Sequence, residues 1–586
     1  MNNFLPLTKK DMDARGWESL DIIIVTGDAY VDHPSFGAAI IGRVLESAGF
    51  RVGIIAQPDW KKTDDFLALG KPRLFFGVTS GNLDSMVANY TSHKKIRSKD
   101  AYSPGGKAGL RPDRAVIVYA NRIKEAFPGS PLVLGGIEAS LRRVAHYDWW
   151  DNKVRRSLLL DAKADILVYG MAESQIVEIA RRLAAEQDLY GIRGTVIVRK
   201  EVHPGEDYLE LPAMDEVSHD KRRFNDAFRI FYTNQNPFSG KTLVQRHDKR
   251  YVIHFPPALP LGREELDGVY RLPYARSPHP SYKEKGGIPG FETVRFSIIS
   301  HRGCCGACSF CSLSVHQGKI IQSRSPGSIL EEAMALSRNE EFKGTITDIG
   351  GPTANLYGAR CSRWARDGGC GKKECLVPTK CAMLKLGYRE SIDLYKSVMA
   401  IPGVKHLFIE SGIRYDLLCD DDSAEYFEHL CRHHVGGQLK VAPEHASPAV
   451  LRAMNKPSFD KYEIFVEKFR EIKRRVKKDQ YLVNYFISAH PGATLEDEEI
   501  LSSYLRRRGM HPEQVQDFTP LPLTPAACMY YTEENPFTGE KVFVAKTFQE
   551  RKLHRALIQH HTPSHKPLVA KAMQSLSKKD RLKPAR

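Results

Sequence analysis

The sequence predicts an α/β protein in two parts, a doubly wound sheet followed by a partial six-unit β/α barrel. Two observations carry this. Up to about residue 204, short β-branched runs alternate with helical stretches, the pattern of a parallel sheet covered on both faces. From residue 291 onward, six strand–helix repeats follow in one stretch. At 586 residues the chain is too long for one ordinary core, which agrees with two domains.

In the first part, Asp21–Thr26 reads as a buried strand and Ala38–Ser47 as the helix after it. Further strands are predicted at Val52–Ile55, Leu74–Gly77, Leu132–Gly135, Ile166–Tyr169 and Thr195–Val198. Gly27, Gly77, Gly135 and Gly170 are read as strand ends, where a ligand crevice lies in such sheets. No Gly-x-Gly-x-x-Gly follows the first strand, so a dinucleotide site is not indicated. Residues 205–290 are rich in proline, as in Pro256-Pro257-Ala258-Leu259-Pro260, and are expected as an extended connector.

In the second part, strands are predicted at Val294–Ser300, Thr345–Ile349, Val404–Glu410, Gln438–Ala442, Tyr481–Ile487 and Val515–Thr519. Helices lie between them near Ser328–Arg338, Ala382–Met399, Ala424–His434, Pro448–Met454, Lys461–Lys477 and Asp497–Arg508. Ser447 before Pro448 marks a helix start, a capping residue followed by proline at the first helical position. The expected boundaries are 1–204, 205–290 and 291–559, with an insertion at 350–385 and a basic, partly disordered tail at 560–586.

Composition narrows the class. Hydrophobic content of 42% with 27% charged residues is that of a globular, soluble chain. No apolar leader opens the sequence and no run is long enough to span a bilayer, so a cytoplasmic protein without a membrane partner is expected. All 11 cysteines lie at or beyond Cys304, a grouping that favours metal ligation over disulfides. The net charge of +16 is compatible with an RNA substrate, and equally with basic residues spread over solvated faces.

The chemistry is concentrated in Gly303-Cys304-Cys305-Gly306-Ala307-Cys308-Ser309-Phe310-Cys311. Cys304, Cys308 and Cys311 can hold three irons of a [4Fe–4S] cluster and leave the fourth open to a small molecule. Cys305 is out of register with this triad. Zinc knuckles use paired cysteines or histidines that close a tetrahedron, and plain buried thiols are the blandest alternative. A second group, Cys361, Cys370, Cys375 and Cys381, could close a zinc site or an auxiliary iron–sulfur cluster, or form a lid loop that binds nothing. Cys419, Cys431 and Cys528 read as isolated residues.

The triad, with Phe310 before its last cysteine, resembles the signature of the radical S-adenosylmethionine (SAM) superfamily. The phrases Gly27-Asp28-Ala29-Tyr30-Val31-Asp32-His33-Pro34, Gly135-Gly136-Ile137-Glu138-Ala139-Ser140, Asp348-Ile349-Gly350-Gly351-Pro352-Thr353-Ala354-Asn355 and Val441-Ala442-Pro443-Glu444-His445 are similar to the YgiQ family within it. The resemblance implies an enzyme that binds a [4Fe–4S] cluster and SAM and cleaves SAM reductively to a 5′-deoxyadenosyl radical. It also implies an external reductant of the flavodoxin or ferredoxin type and a cobalamin-binding-like first domain. Gly350 and Gly351 match the turn that offers backbone carbonyls to the amino group of SAM, with Pro352 in place of the acid that follows. Glu410, Arg414 and Glu444, with His445, stand at strand ends where SAM or substrate would be held, and Arg414 could fork onto a carboxylate.

Cobalamin itself is not indicated, because Asp32-His33-Pro34-Ser35-Phe36-Gly37 lacks the spacing of a cobalt-binding histidine motif; relatives without that histidine can still bind it. Methylthiotransferases carry three cysteines in their first domain, and this chain has none before Cys304, so sulfur insertion by that architecture is not expected. Methyl transfer and other modification of RNA, protein or a metabolite stay open. Two other classes compete: a non-enzymatic iron–sulfur redox protein, which leaves the Gly350-Gly351 turn without a role, and a zinc-stabilised nucleic-acid-binding module.

Overall fold

The computed structural model describes residues 4–203, 205, 207–367, 370 and 374–581. The chain divides into two compact units, Met1–Ser297 with Val315–Glu332 and Arg366–Gly371, and Ile298–Ser314 with Ala333–Ala365 and Lys372–Arg586.

The first unit is built on strands β1 (Ile22–Thr26), β2 (Val52–Ala56), β3 (Phe75–Thr79), β4 (Leu132–Leu134) and β5 (Ile166–Val168), which run parallel in the order β2-β1-β3-β4-β5. Alternation along β1 explains the double winding. Ile22 and Ile24 enter one core with Val52 and Ile54, and helices Gly37–Ser47 and Glu173–Ala184 supply Ile40, Leu45, Ile176 and Ile179 to it. Ile23 and Val25 enter the opposite core, covered by Val116, Tyr119 and Ile123 of helix Ala115–Ala126.

Beyond β5 the sheet changes direction. Strand β6 (Thr195–Arg199) is antiparallel to β5, and the sheet continues through segment 205–290. That stretch supplies β7 (Tyr208–Leu211), β8 (Thr242–His247) and β9 (Arg250–His254) to give a nine-stranded order β7-β8-β9-β6-β5-β4-β3-β1-β2. It also forms helices Lys221–Thr233 and Arg263–Arg271, so the expected connector is corrected to sheet and helix. The prolines Pro256, Pro257, Pro260 and Pro273 fall between these elements, where no ladder amide is needed. Gly77 likewise is not a strand end; it lies in the middle of β3, with Val78 and Thr79 continuing the ladder.

The second unit contains β10 (Ser297–Ile299), β11 (Thr345–Ile346), β12 (Asp348–Gly350), β13 (His406–Leu407), β14 (Gln438–Glu444), β15 (Tyr481–Ser488) and β16 (Val515–Asp517). Neighbours pair in chain order. β10 lies beside β12, β11 beside β13, Ile413 bridges Val441 of β14, and β14, β15 and β16 form a parallel sheet. Helices Tyr388–Met399, Ala424–His433, Phe459–Val476 and Leu495–Arg507 connect them. This is the predicted partial barrel, with its loops after the strands forming one rim.

Residues 582–586 of the basic tail lie outside the described residues, and Lys566–Arg581 form a helix. Its Leu568, Val569 and Ala572 pack on Leu553 and Leu557 of helix Phe548–Ile558, an apolar stripe that the basic composition conceals.

Candidate functional site: the cysteine loop and the rim around it

The cysteine loop leaves the end of β10 and is held from three sides within the second unit. Ser309 donates its amide to Met454 O (2.9 Å) and accepts the Ala526 amide (2.9 Å). The Asn455 side chain donates to Ala307 O (2.9 Å). Ser309 Oγ meets His490 Nε2 at 3.3 Å, and Phe310 lies edge-on to the same imidazole. Left-handed backbone at Gly303 (φ +83°) and Ala307 (φ +47°) folds the loop so tightly.

Cys304, Cys308 and Cys311 are half-buried, while Cys305 is buried. Burial pushes the Cys304 thiol up, with Cys308 adding and Arg414 opposing. Burial pushes Cys311 to about 12, again with Cys308 adding. A bound cation reverses this order, since a coordinating thiol is deprotonated outright.

Arg414 sits over the loop. Its guanidinium forks onto Asp416 through Nε (3.1 Å) and Nη2 (2.9 Å), leaving Nη1 3.9 Å from Cys308 Sγ. The fork expected for a SAM carboxylate is therefore engaged by Asp416. Gly306 makes room for this arrangement: a Cβ there would collide with Arg414 Nη1 and lie 3.4 Å from Cys304 Sγ.

Gly350 and Gly351 are required by crowding. A Cβ on Gly350 would strike Ser411 Oγ and the Asp348 carboxylate, and one on Gly351 would lie 2.6 Å from His301 Cε1 and 2.7 Å from His301 O. The Gly350 carbonyl already accepts the Ser300 amide (2.7 Å) and hydroxyl (3.0 Å). Asp348, which sequence reasoning passed over, ties the next strand end to this turn. Its carboxylate accepts the amides of Glu410 (2.9 Å) and Ser411 (3.1 Å) and the Ser411 hydroxyl. Glu410 itself is 61% exposed and its side chain lies 3.4 Å from Lys440 Nζ.

Glu444 ends β14 at a bulge with φ +67°, a conformation costing about 1–3 kcal/mol for a residue with a Cβ. Burial raises its carboxyl pKa and Lys456, 3.6 Å away, opposes that shift. His445 turns the other way. It is fully buried and contacts Glu498 at 3.3 Å.

The four-cysteine group is divided. Cys370 falls in the first unit, and Cys361, Cys375 and Cys381 in the second; residues 368, 369 and 371–373 lie outside the described residues. Cys381 donates its amide to Cys375 O (2.9 Å). The Cys305 thiol is raised chiefly by a hydrogen bond to Cys375, then by burial, so Cys305 contacts the second group. Among the described residues, no three His, Cys, Asp or Glu side chains gather on one metal ion. A cubane differs from such a site, taking each thiolate on a separate iron.

Comparison with known proteins gives this geometry its context. Family models match residues 4–297 (radical SAM N-terminal), 298–503 (radical SAM superfamily) and 513–583 (a domain of unknown function, DUF3362). The chain is 54% identical to a UPF0313 protein of Methanocella arvoryzae, over 98% of this chain and 96% of that one. It is 51% identical to a UPF0313 protein of Clostridium botulinum strain 657, over 99% and 91%. The fold is shared with the radical SAM methyltransferase TsrM from Kitasatospora setae, solved with cobalamin and a [4Fe–4S] cluster (TM-score 0.50, 16% identity, 87% of this chain and 74% of that one). It is shared also with the apo form of the cobalamin-dependent SAM radical enzyme OxsB (TM-score 0.50, 10% identity, 92% and 66%).

Fold and family matches together define a radical SAM enzyme, which uses a [4Fe–4S] cluster and SAM. Within that superfamily, the chain belongs to the UPF0313 family. The three half-buried thiols of one loop are a donor set that fits the cluster.

Cobalamin does not fit the residues at the carboxyl edge of the parallel sheet in the first unit. Buried Arg111 fills that edge between Asp28 (2.8 Å) and Asp100 (3.1 Å), and a Cβ on Gly27 would meet Ser80 O and Arg111. Arg142 pairs with Asp84, and buried Glu138 accepts the amides of Ser85 (2.9 Å) and Val116 (3.2 Å). His33 is 1% exposed, its ring edge-on to Phe291. A corrinoid would have to displace this charged network, which is costly to break.

Among the described residues, no helix is long and apolar enough to cross a membrane.

Proposed function

We propose that Cys304, Cys308 and Cys311 hold the cluster and that the surrounding rim frames SAM for reductive cleavage without cobalamin. The supporting observation is the placement of the three thiols in one rigidly anchored loop beside Arg414 Nη1. When bound, the reduced cluster supplies the electron that splits SAM into methionine and a 5′-deoxyadenosyl radical, which abstracts hydrogen from the substrate.

The chain's own residues set the geometry of that step. Arg414, fixed by Asp416, places a permanent positive charge beside the cluster thiolates and offsets their charge. Because Ser300 takes both lone-pair directions of the Gly350 carbonyl, the amino group of SAM would draw on the carbonyl of Gly351 instead. Glu444, buried and held in a left-handed conformation at the strand end, is the acid positioned to meet SAM, while exposed Glu410 acts through its backbone. The electron comes from a small carrier of the flavodoxin or ferredoxin type.

The experiment is anaerobic reconstitution with iron and sulfide, followed by SAM and dithionite. 5′-Deoxyadenosine and methionine are expected, lost on replacing Cys304, Cys308 or Cys311 by Ala and retained in Cys305→Ala. Cleavage that survives the three replacements overturns the ligand assignment. Cobalamin retained stoichiometrically after gel filtration overturns the cobalamin-free reading.

A further inference from the structure

Glu498 lies in helix Leu495–Arg507 with no solvent exposure, and its carboxylate is shared among three separate pieces of the rim. Oε2 faces His445 Nε2 at 3.3 Å, next to Glu444. Oε1 accepts the Ala489 amide at 2.9 Å and meets His554 Nδ1 at 3.0 Å. Burial alone would raise this carboxyl, but the bonds from His445 and His554 hold it at about 2. It is ionised, and all three contacts are donors.

The polarity of the His445 contact is fixed by its surroundings. His445 Nδ1 accepts the Ser447 amide (3.0 Å), so its proton is on Nε2 and points at Glu498. Ala489 adopts φ +57°, and its tether to Glu498 sets the next residue, His490, against Ser309 of the cysteine loop. One carboxylate thus fixes both the strand end carrying Glu444 and the prop beneath Ser309.

His554 comes from the C-terminal segment 513–583, which matches the DUF3362 model. The same segment gives the Ala526 amide to Ser309 O, using a helix N-terminal N–H that has no partner within its helix. Arg555 pairs with Asp517 (2.8 Å) and Arg551 donates to Phe518 O, fixing helix Phe548–Ile558 to the end of β16.

We propose that Glu498 is a positioning residue for SAM, and that the C-terminal segment takes part in SAM handling through His554. The proposal rests on the reading that Cys304, Cys308 and Cys311 hold the cluster and Glu444 meets SAM. Glutamine at 498 must turn its amide N–H₂ toward a donor. Because Oε1 serves two donors, that conflict falls on His445, which cannot change tautomer without losing Ser447. For His554, asparagine can present an N–H near the position of Nδ1, and alanine cannot.

The test uses full-length protein reconstituted with iron and sulfide, comparing the parent with Glu498→Gln, His554→Ala and His554→Asn. Four readouts are taken: iron per chain, the EPR spectrum of the reduced cluster with and without SAM, kcat and KM for 5′-deoxyadenosine formation, and amide exchange at Ala489 in unreconstituted protein. Glu498→Gln and His554→Ala are expected to keep parental iron and kcat within threefold and to raise KM for SAM at least tenfold. They should also lose the SAM-induced EPR change at a SAM concentration that saturates the parent, and exchange faster at Ala489. His554→Asn should return KM to within threefold of the parent.

Parental KM and EPR response in both Glu498→Gln and His554→Ala overturn the proposal, as does a loss in His554→Ala that His554→Asn fails to restore. Should Glu498→Gln not fold, the His554 pair decides. A parent that binds no iron overturns the ligand assignment itself, and this proposal with it.

Discussion

Asn355 grips the backbone of Arg414 in both directions: its Oδ1 accepts the Arg414 amide at 3.0 Å and its Nδ2 donates to the Arg414 carbonyl at 2.9 Å. The side chain of Asn355 thus imitates a strand partner at a place where the chain has left the sheet. It fixes the backbone from which the Asp416-bound guanidinium reaches toward Cys308.

Asn355→Ala leaves two buried backbone groups unpaired. A loss of about 2 kcal/mol is expected from the second unit, read as a lower midpoint for its transition in calorimetry. Iron retention after reconstitution should fall with it, because Arg414 is no longer fixed over the loop. Asn355→Asp, which keeps one acceptor, should fall between the two.

Gly306→Ala tests the room left for Arg414. The added methyl would overlap Nη1 and press on Cys304 Sγ, so either the guanidinium or the thiol must move. At least a tenfold drop in SAM cleavage is expected, with the first unit's thermal transition unchanged. Gly412→Ala, where nothing lies within 4 Å of the added carbon, serves as the control and should match the parent.

Acid should destabilise the first unit before its carboxylates titrate. Burial depresses His33 and His247 to about 3 and His146 to about 4, against an ordinary value near 6.5. These imidazoles stay neutral when folded and take up protons when unfolded. Their contribution is complete above pH 6.5, falls as the pH drops below it, and levels off near pH 3–4. Three such groups give a slope of up to about 4 kcal/mol per pH unit. Urea midpoints followed by tryptophan fluorescence from pH 7.5 to 4.5 should decline, and His247→Gln should flatten the decline.

Ile23→Ala examines the double winding. Ile23 is fully buried in the core opposite to that of Ile22 and Ile24. A cost of about 2–5 kcal/mol is expected in chemical denaturation of the first unit. A cost below about 1 kcal/mol would mean that this face of β1 is not packed as described.

Much of the architecture was legible because it is local. The run Ile22-Ile23-Ile24-Val25-Thr26 can only be a strand covered on both sides, and Pro448 does open a helix. Ser447 stands at the N-cap as read, with its carbonyl accepting the Leu451 amide, but its hydroxyl goes to Asp497 Oδ1 at 2.5 Å, a partner far along the chain. Segment 205–290 misled because proline density was averaged over a stretch whose prolines cluster between elements. Spacing alone groups Cys304, Cys308 and Cys311, and the fold anchors the loop that carries them. Asp416, which engages the Arg414 fork, stood two residues away and could have been suspected as a local ion-pair partner. Asp348 and Asn355 belong to one local run, Asp348 to Asn355, but their roles arise from partners about sixty residues on, which no local pattern shows. Glu498 and His554 gave no signal, since their meaning exists only once β14, β15 and the C-terminal helix have come together.

The supports of the cysteine loop have a consequence for biosynthesis. Asn455 and His490 lie 148 and 181 residues downstream of the residues they hold, and Ala526 follows later still. A ribosome releases the three cysteines long before it makes these supports. The loop therefore takes its anchored shape only after translation has passed the last of these supports. A chain cut short before residue 513 would leave the ribosome with all three cysteines and without the Ala526 amide that holds Ser309 between them.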